Sequence, residues 1–201
     1  MNTAEQAQAS TGPRFFHSPP DEPPVLIDPR RWGALIGLIG GIVFVFSYGP
    51  ALGPVVSITT TVVGTCLIAV ALLYLYLRPS PLGPFREPTR SALFVYGGCV
   101  VGELAAISLG SRLLVGVNQS DLRPALIAGV VGLHFLPFAW AFGEPMFYRL
   151  GLALVALGSA GLLLGWDGVT AAADAAAVMS GLVMIGLVVL YSRGRFRLPQ
   201  G

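Results

Sequence analysis

Six long apolar runs alternate with short polar segments along this chain, and the polar segments hold most of its charged residues. An α-helix needs about 20 apolar residues to cross a hydrocarbon core about 30 Å thick, and the runs are close to this length. They cover residues 33–48, 55–77, 91–110, 122–142, 147–165 and 170–191. The pattern predicts six transmembrane helices that form one membrane domain over residues 32–192.

The two ends of the chain differ in composition from this domain. Residues 1–31 are polar and contain six prolines, which disfavour both helix and sheet. We therefore predict that residues 1–31 form a disordered, Pro-rich tail. Residues 193–201 hold three arginines and form a second, short basic tail.

The overall composition agrees with the pattern of apolar runs. The 201 residues are 54% hydrophobic and only 11% charged, whereas a soluble domain is about one quarter charged. These values predict an all-α integral membrane protein with a lipid bilayer as its surroundings. The net charge of +2 is too small to indicate a nucleic-acid partner.

The arginines predict an orientation, because cytoplasmic loops are enriched in basic residues. All basic residues are arginines, and with the N-terminus inside, the outer loops hold only Arg112 and Arg123. The other ten fall in cytoplasmic segments. Both termini are therefore predicted to be cytoplasmic, with six helices between them.

Two ionisable residues, Glu103 and His134, lie within apolar runs. A charge at the bilayer centre costs about 2.5 to 3.5 kcal/mol on insertion scales, so both residues are candidates for a site. A short outer loop joins their helices, which makes these helices candidate antiparallel neighbours and permits a contact between the two side chains. Tyr96 and Cys99 share the helix face of Glu103, and Pro137 follows His134 by one turn and is predicted to kink that helix.

Two interpretations of this pair remain open. A neutral Glu103 could hydrogen-bond across the helices and hold the bundle in register. Alternatively, Glu103 and His134 could form a proton-responsive or solute-binding site, because both side chains can change protonation. The first interpretation describes a non-catalytic membrane scaffold or accessory subunit. The second describes a small permease-like or proton-responsive protein, whose ligand is a proton or a small solute.

Enzymatic chemistry is disfavoured by the motifs that the sequence lacks. The chain has no lysine for a phosphate-binding loop or a Schiff base, and no HExxH, CxxC or GxSxG motif. A single intramembrane histidine cannot form a metal site unaided. We therefore expect neither a cofactor nor a metal.

Glycines recur at four-residue spacing in the first apolar run, at Gly33, Gly37 and Gly41. They predict close helix packing, either within one chain, in a homo-oligomer or with a membrane partner.

Three features together resemble a group of small bacterial multispanning membrane proteins without an assigned activity. They are the run VGLHFLP, a glutamate in the preceding helix and the sequence FYRLG at the start of the following helix. The resemblance covers about residues 91–165 and implies that Glu103, His134 and Pro137 are characteristic positions of the group. It also implies a bacterial inner membrane as the location, and it supplies no mechanism.

Overall fold

A computed structural model describes residues 24–82 and 89–196 of the chain. This part of the chain forms six α-helices, as predicted. They are α1 (Pro29–Tyr48), α2 (Pro54–Leu72), α3 (Arg90–Gly116), α4 (Arg123–Phe142), α5 (Pro145–Trp166) and α6 (Ala172–Ser192). A π-helical turn, Leu73–Leu77, extends α2, and two short 3₁₀ segments, Gly49–Leu52 and Ser120–Leu122, occupy connections between helices.

Each of the six helices, with its short extensions, is long and apolar enough to cross a membrane. Proline stands at the first position of α1, α2 and α5, where a missing N–H costs no hydrogen bond. Gly143 ends α4 in the left-handed conformation, with a φ of 64°, which glycine adopts without strain. The prediction of six apolar helices is confirmed, and the fold fits a multi-pass membrane protein.

Helix α6 lies at the centre of the bundle and α3 lies at its edge. α6 contacts α1, α2, α4 and α5, whereas α3 packs mainly against α4. Twelve residues of α6 are buried, but Ala92 is the only buried residue of α3. Helix α3 is therefore held to the rest of the protein by a single face.

Neighbouring helices approach most closely at glycines. A Cβ atom on Gly132 of α4 would lie 2.6 Å from the backbone nitrogen of Val155 in α5. A Cβ atom on Gly41 of α1 would lie 2.9 Å from the carbonyl oxygen of Gly181 in α6. Gly33 has no neighbouring atom within 4 Å of such a position, so the predicted glycine face of α1 makes close contact only from Gly37 onward.

The charged residues separate between the two ends of the bundle. We call one end the arginine end, where α1, α3 and α5 begin and α2, α4 and α6 end. The other is the acidic end. The described residues at the arginine end include Arg30, Arg31, Arg78, Arg90, Arg149, Arg193 and Arg195, and those at the acidic end include Arg112, Asp121, Arg123, Asp167 and Asp174. Arg14, Arg86 and Arg197, which also entered the predicted orientation, lie outside the described residues. The cytoplasmic location of the arginine end stays a prediction.

Two helices are longer than the apolar runs indicated. α1 begins at Pro29 rather than near residue 33, because the side chain of Asp28 accepts a hydrogen bond from the backbone N–H of Arg30 and caps the helix. α3 continues to Gly116, six residues beyond the predicted end. Of the predicted N-terminal tail, residues 1–23 lie outside the described part of the chain, as do residues 197–201 at the other terminus.

Candidate functional site

The structure brings Glu103 and His134 into direct contact across the interface between α3 and α4. Atom Oε2 of Glu103 lies 2.8 Å from Nδ1 of His134. The two side chains are 22% and 10% exposed, respectively, so the pair is largely enclosed by protein. The helices are antiparallel here, because Gly110 faces Leu126 on one side of the pair and Tyr96 faces Phe138 on the other.

The two side chains make a close contact that is not a linear hydrogen bond. Although the two atoms are 2.8 Å apart, Nδ1 of His134 is a buried nitrogen without a hydrogen-bond partner. The carboxylate oxygen therefore lies off the direction of the Nδ1–H bond. The attraction in this arrangement depends on charge, and it is strongest when a carboxylate faces an imidazolium.

Aromatic rings surround the imidazole of His134. The ring of Phe138 lies 4.3 Å from the imidazole centroid, and the ring of Phe135 lies 5.4 Å from it. Tyr96 of α3 stacks on Phe138 with a centroid separation of 5.2 Å. These rings enclose the imidazole in an apolar, aromatic surrounding at the interface of α3 and α4.

The remaining two predicted residues lie close to the pair. Cys99 is a half-buried free thiol one turn before Glu103 on α3. Pro137 lies inside α4, which continues through it as a helix to Phe142. Because proline has no N–H, the carbonyl of Leu133, beside His134, loses its usual partner four residues on. The structure therefore brings Glu103, His134 and Tyr96 to the α3–α4 interface, whereas Cys99 is half-buried on α3 and Pro137 is exposed on α4.

A second ionic cluster at the arginine end was not predicted from the sequence. The side chain of Asp28 is fully buried, with 0% exposure. Its Oδ2 atom lies 2.9 Å from Nη2 of Arg30 and 3.8 Å from Nε of Arg31. We call these three residues the Asp28 cap. An Asp-Pro pair immediately before an apolar run is a helix-start signal and could have located the cap.

The Asp28 cap joins α1 to the end of α2. Arg31 is 2% exposed, and its guanidinium donates to the carbonyl oxygen of Leu75 at 2.6 Å and to that of Ser80 at 3.1 Å. Leu75 lies in the π-helical turn that ends α2, where some carbonyls have no helical partner. Arg31 therefore satisfies carbonyl groups of the turn that follows α2.

Glu144, in the turn between α4 and α5, lies near this cluster. Burial raises the pKa of its carboxyl above the ordinary value of 4.5, the charge of Arg30 lowers it in part, and the charge of Asp28 raises it further. The folded protein consequently binds this proton more tightly than the unfolded chain does. The contribution of Glu144 to the free energy of unfolding is thus greatest below pH 4.5, and it falls as the pH rises through the raised pKa.

We expect Glu144→Gln to remove this contribution to the pH dependence. The difference in Tm between the variant and the wild type, measured in detergent from about pH 4 to pH 8, should grow in favour of the variant as pH rises. Asp167→Asn, at an exposed acid of the acidic end, is the control and should show no such trend. Parallel curves for wild type and Glu144→Gln would contradict the assigned burial effect.

An open cleft of about 560 Å³ lies at the acidic end of the bundle. Its lining includes Asp121, which precedes α4, and Asp174, in the first turn of α6. Glu103 and His134 do not line this cleft. The cleft and the ion pair are therefore separate features of the fold.

Comparison of the chain with protein-family models, with curated proteins and with solved structures finds no match. The resemblance of the VGLHFLP segment to a bacterial group stays a prediction. The class of protein follows from the fold, which is a bundle of six apolar helices that fits a multi-pass membrane protein. Its distinguishing site is the ion pair between α3 and α4.

Proposed function

We propose that this chain is a non-catalytic, proton-responsive multi-pass protein of a bacterial inner membrane, with both termini in the cytoplasm. In this proposal the Glu103–His134 pair holds α3 against α4, and a change in its proton content releases α3. The observation that carries the proposal is the contact of 2.8 Å between the two ionisable side chains. The proton is the ligand in this proposal, because each of the two side chains can gain or lose one.

The number of protons on the pair determines its charge. With one proton in total, the pair is electrically neutral, either as carboxylate with imidazolium or as carboxylic acid with imidazole. Removing that proton leaves one negative charge at the interface, and adding a second leaves one positive charge. A charge in the apolar core costs about 2.5 to 3.5 kcal/mol, so the closed interface is most favourable in the neutral state.

The position of α3 makes it the element that such a change would move. Lipid chains are as apolar as leucine, so the apolar contacts of α3 with α4 have little advantage over contacts with lipid. In the described part of the chain, the Glu103–His134 pair is the only polar side-chain contact between these two helices. The pair is therefore the contact that lipid cannot replace.

The proposal predicts that α3 separates from α4 at both low and high pH. Distances between spin labels on the exposed residues Leu109 of α3 and Leu163 of α5 would report this movement in lipid nanodiscs. The background would replace both native cysteines. Over a pH titration of the labelled protein, we expect one short distance at intermediate pH and an added longer distance at each extreme.

Single substitutions should each remove one side of this pH profile. In Glu103→Gln a neutral carboxamide replaces the carboxyl, so no negative charge can form at the pair. The separation at high pH should therefore disappear, and the separation at low pH should remain. In His134→Asn the imidazole cannot become positive, so the opposite half should disappear. The double variant should show neither transition. A distance that stays constant with pH in the wild type would favour the alternative, a scaffold in which the pair only fixes helix packing.

A further inference from the structure

The exposed charge at the arginine end is entirely positive among the residues that the structure describes. Five arginines are exposed there, namely Arg78, Arg90, Arg149, Arg193 and Arg195. The described acidic residues at this end are Asp28, which is buried in its cap, and Glu144, which is half-buried. Burial also raises the pKa of the Glu144 carboxyl. Among the described residues, the exposed charges of this end are therefore all positive.

Two of these arginines are held in position by aromatic rings. The guanidinium of Arg149, near the start of α5, lies 5.0 Å from the ring centroid of Phe196. The guanidinium of Arg193, directly after α6, lies 4.9 Å from that of Tyr74 at the end of α2. Neither guanidinium has a hydrogen bond or an ion pair with another described residue. Their N–H groups therefore remain available to a ligand.

Residues 193–196, which carry Arg193 and the ring that contacts Arg149, are fixed to the core of the bundle. The ring centroid of Phe196 lies 6.5 Å from that of the buried Tyr191. Phe196 also packs against a buried apolar cluster that includes Leu75 and Ile185. This contact holds residues 193–196 beside the ends of α2 and α5. Arg149 and Arg193 are thus arranged in advance on elements that pack together, which lowers the entropic cost of binding an anion.

Exposed aromatic residues place these arginines at the level of lipid headgroups. Trp32 near the start of α1, Trp140 near the end of α4 and Tyr148 at the start of α5 are all exposed at this end. Tryptophan and tyrosine prefer the boundary between hydrocarbon and headgroups. Arg149 directly follows Tyr148, so we expect its guanidinium to lie at the level of the lipid phosphates.

We propose that Arg149 and Arg193 form a binding site for the headgroup of an anionic phospholipid at the arginine end. The guanidinium groups donate to the phosphate oxygens, and the acyl chains lie along the exposed apolar surface of the bundle. An anionic lipid binds more tightly than a zwitterionic lipid in this proposal, because it brings a net negative charge to a surface whose described acidic residues are not exposed. The site is independent of the Glu103–His134 pair.

The test uses the full chain in a neutral detergent, titrated with phosphatidylglycerol and, separately, with phosphatidylcholine. Native mass spectrometry would measure the affinity for each lipid, and the shift in Tm would report the stabilisation. We expect preferential binding of phosphatidylglycerol, which weakens about fivefold for each of Arg149→Gln and Arg193→Gln. Higher salt should weaken the binding further.

Three controls decide the outcome. Arg123→Gln, at an exposed arginine of the acidic end, should leave phosphatidylglycerol binding unchanged. Each variant is compared with its own Tm in the absence of lipid, so that a change in folding is not mistaken for a change in binding. Equal affinity for both lipids, or an equal loss in Arg123→Gln, would overturn the proposal. Stabilisation of the same size by inorganic phosphate alone would also overturn it, because it would indicate a site for free anions.

Discussion

Substitution of Asp28 with alanine should lower the free energy of unfolding by about 3 to 5 kcal/mol. The carboxylate is fully buried and lies beside two arginines, of which Arg31 is 2% exposed. Alanine would remove the carboxylate that lies 2.9 Å from Nη2 of Arg30 and 3.8 Å from Nε of Arg31. It would also remove the cap of α1, where Asp28 accepts from the backbone N–H of Arg30 at 2.9 Å.

Denaturant titration in mixed micelles, followed by circular dichroism, would measure this loss. Asp28→Asn separates the two effects, because it keeps a capping oxygen but removes the charge. Its stability should fall between those of the wild type and Asp28→Ala. Asp167→Ala, at an exposed acid of the acidic end, is the control and should change stability by less than about 0.5 kcal/mol. An equally small change in Asp28→Ala would show that the cap contributes little.

Substitution of Gly158 with alanine should destabilise the protein by about 3 kcal/mol, at the upper end of the usual cost of overpacking. A Cβ atom at this position would overlap the backbone nitrogen of Gly129 and lie 2.6 Å from its Cα atom. It would also lie 2.8 Å from the carbonyl oxygen of Ala125. These are backbone atoms, so α4 and α5 must separate along their shared interface before the methyl group fits.

Gly186→Ala provides a matched control for this substitution. Gly186 lies in the central helix α6, yet a Cβ atom there would have no neighbour within 4 Å. Alanine has a higher helix propensity than glycine, so this variant should be as stable as the wild type or slightly more stable. The Tm of both variants in detergent would be compared. Similar values for both would mean that α4 and α5 adjust to the added methyl group without loss.

The helices of this protein could be predicted from the sequence, but the positions of their ends were predicted less accurately. α4 and α5 each lie within two residues of their predicted limits, because polar residues or glycine and proline interrupt the apolar runs there. The start of α1 was placed four residues late, because the charged residues before it were assigned to a tail. Asp28 and Arg31 are buried among polar partners, which include Arg30 for Asp28 and backbone carbonyls for Arg31, and hydropathy alone cannot detect such contacts.

The candidate site was predicted in part. Glu103 and His134 were singled out because ionisable residues are unusual within apolar runs, and the helix periodicity placed Tyr96 and Cys99 on the same face as Glu103. The distance of 2.8 Å between Oε2 of Glu103 and Nδ1 of His134 depends on how α3 and α4 pack. So does the position of Oε2 away from the direction of the Nδ1–H bond. Periodicity along one helix gives no information on the rotation of the next helix relative to it.

The sequence by itself determined the helical class, the number of helices and the two ionisable residues within them. These are local properties, since a backbone surrounded by apolar side chains must satisfy its own hydrogen bonds within each helix. The tertiary structure alone decided that α6 is central, that α3 is peripheral and that Asp28 is buried. The physical reason is that lipid and protein interior are equally apolar, so a membrane helix carries little sequence signal of which face meets lipid. Packing at glycines such as Gly158, together with the two buried ionic contacts, supplies the specificity that hydrophobicity does not.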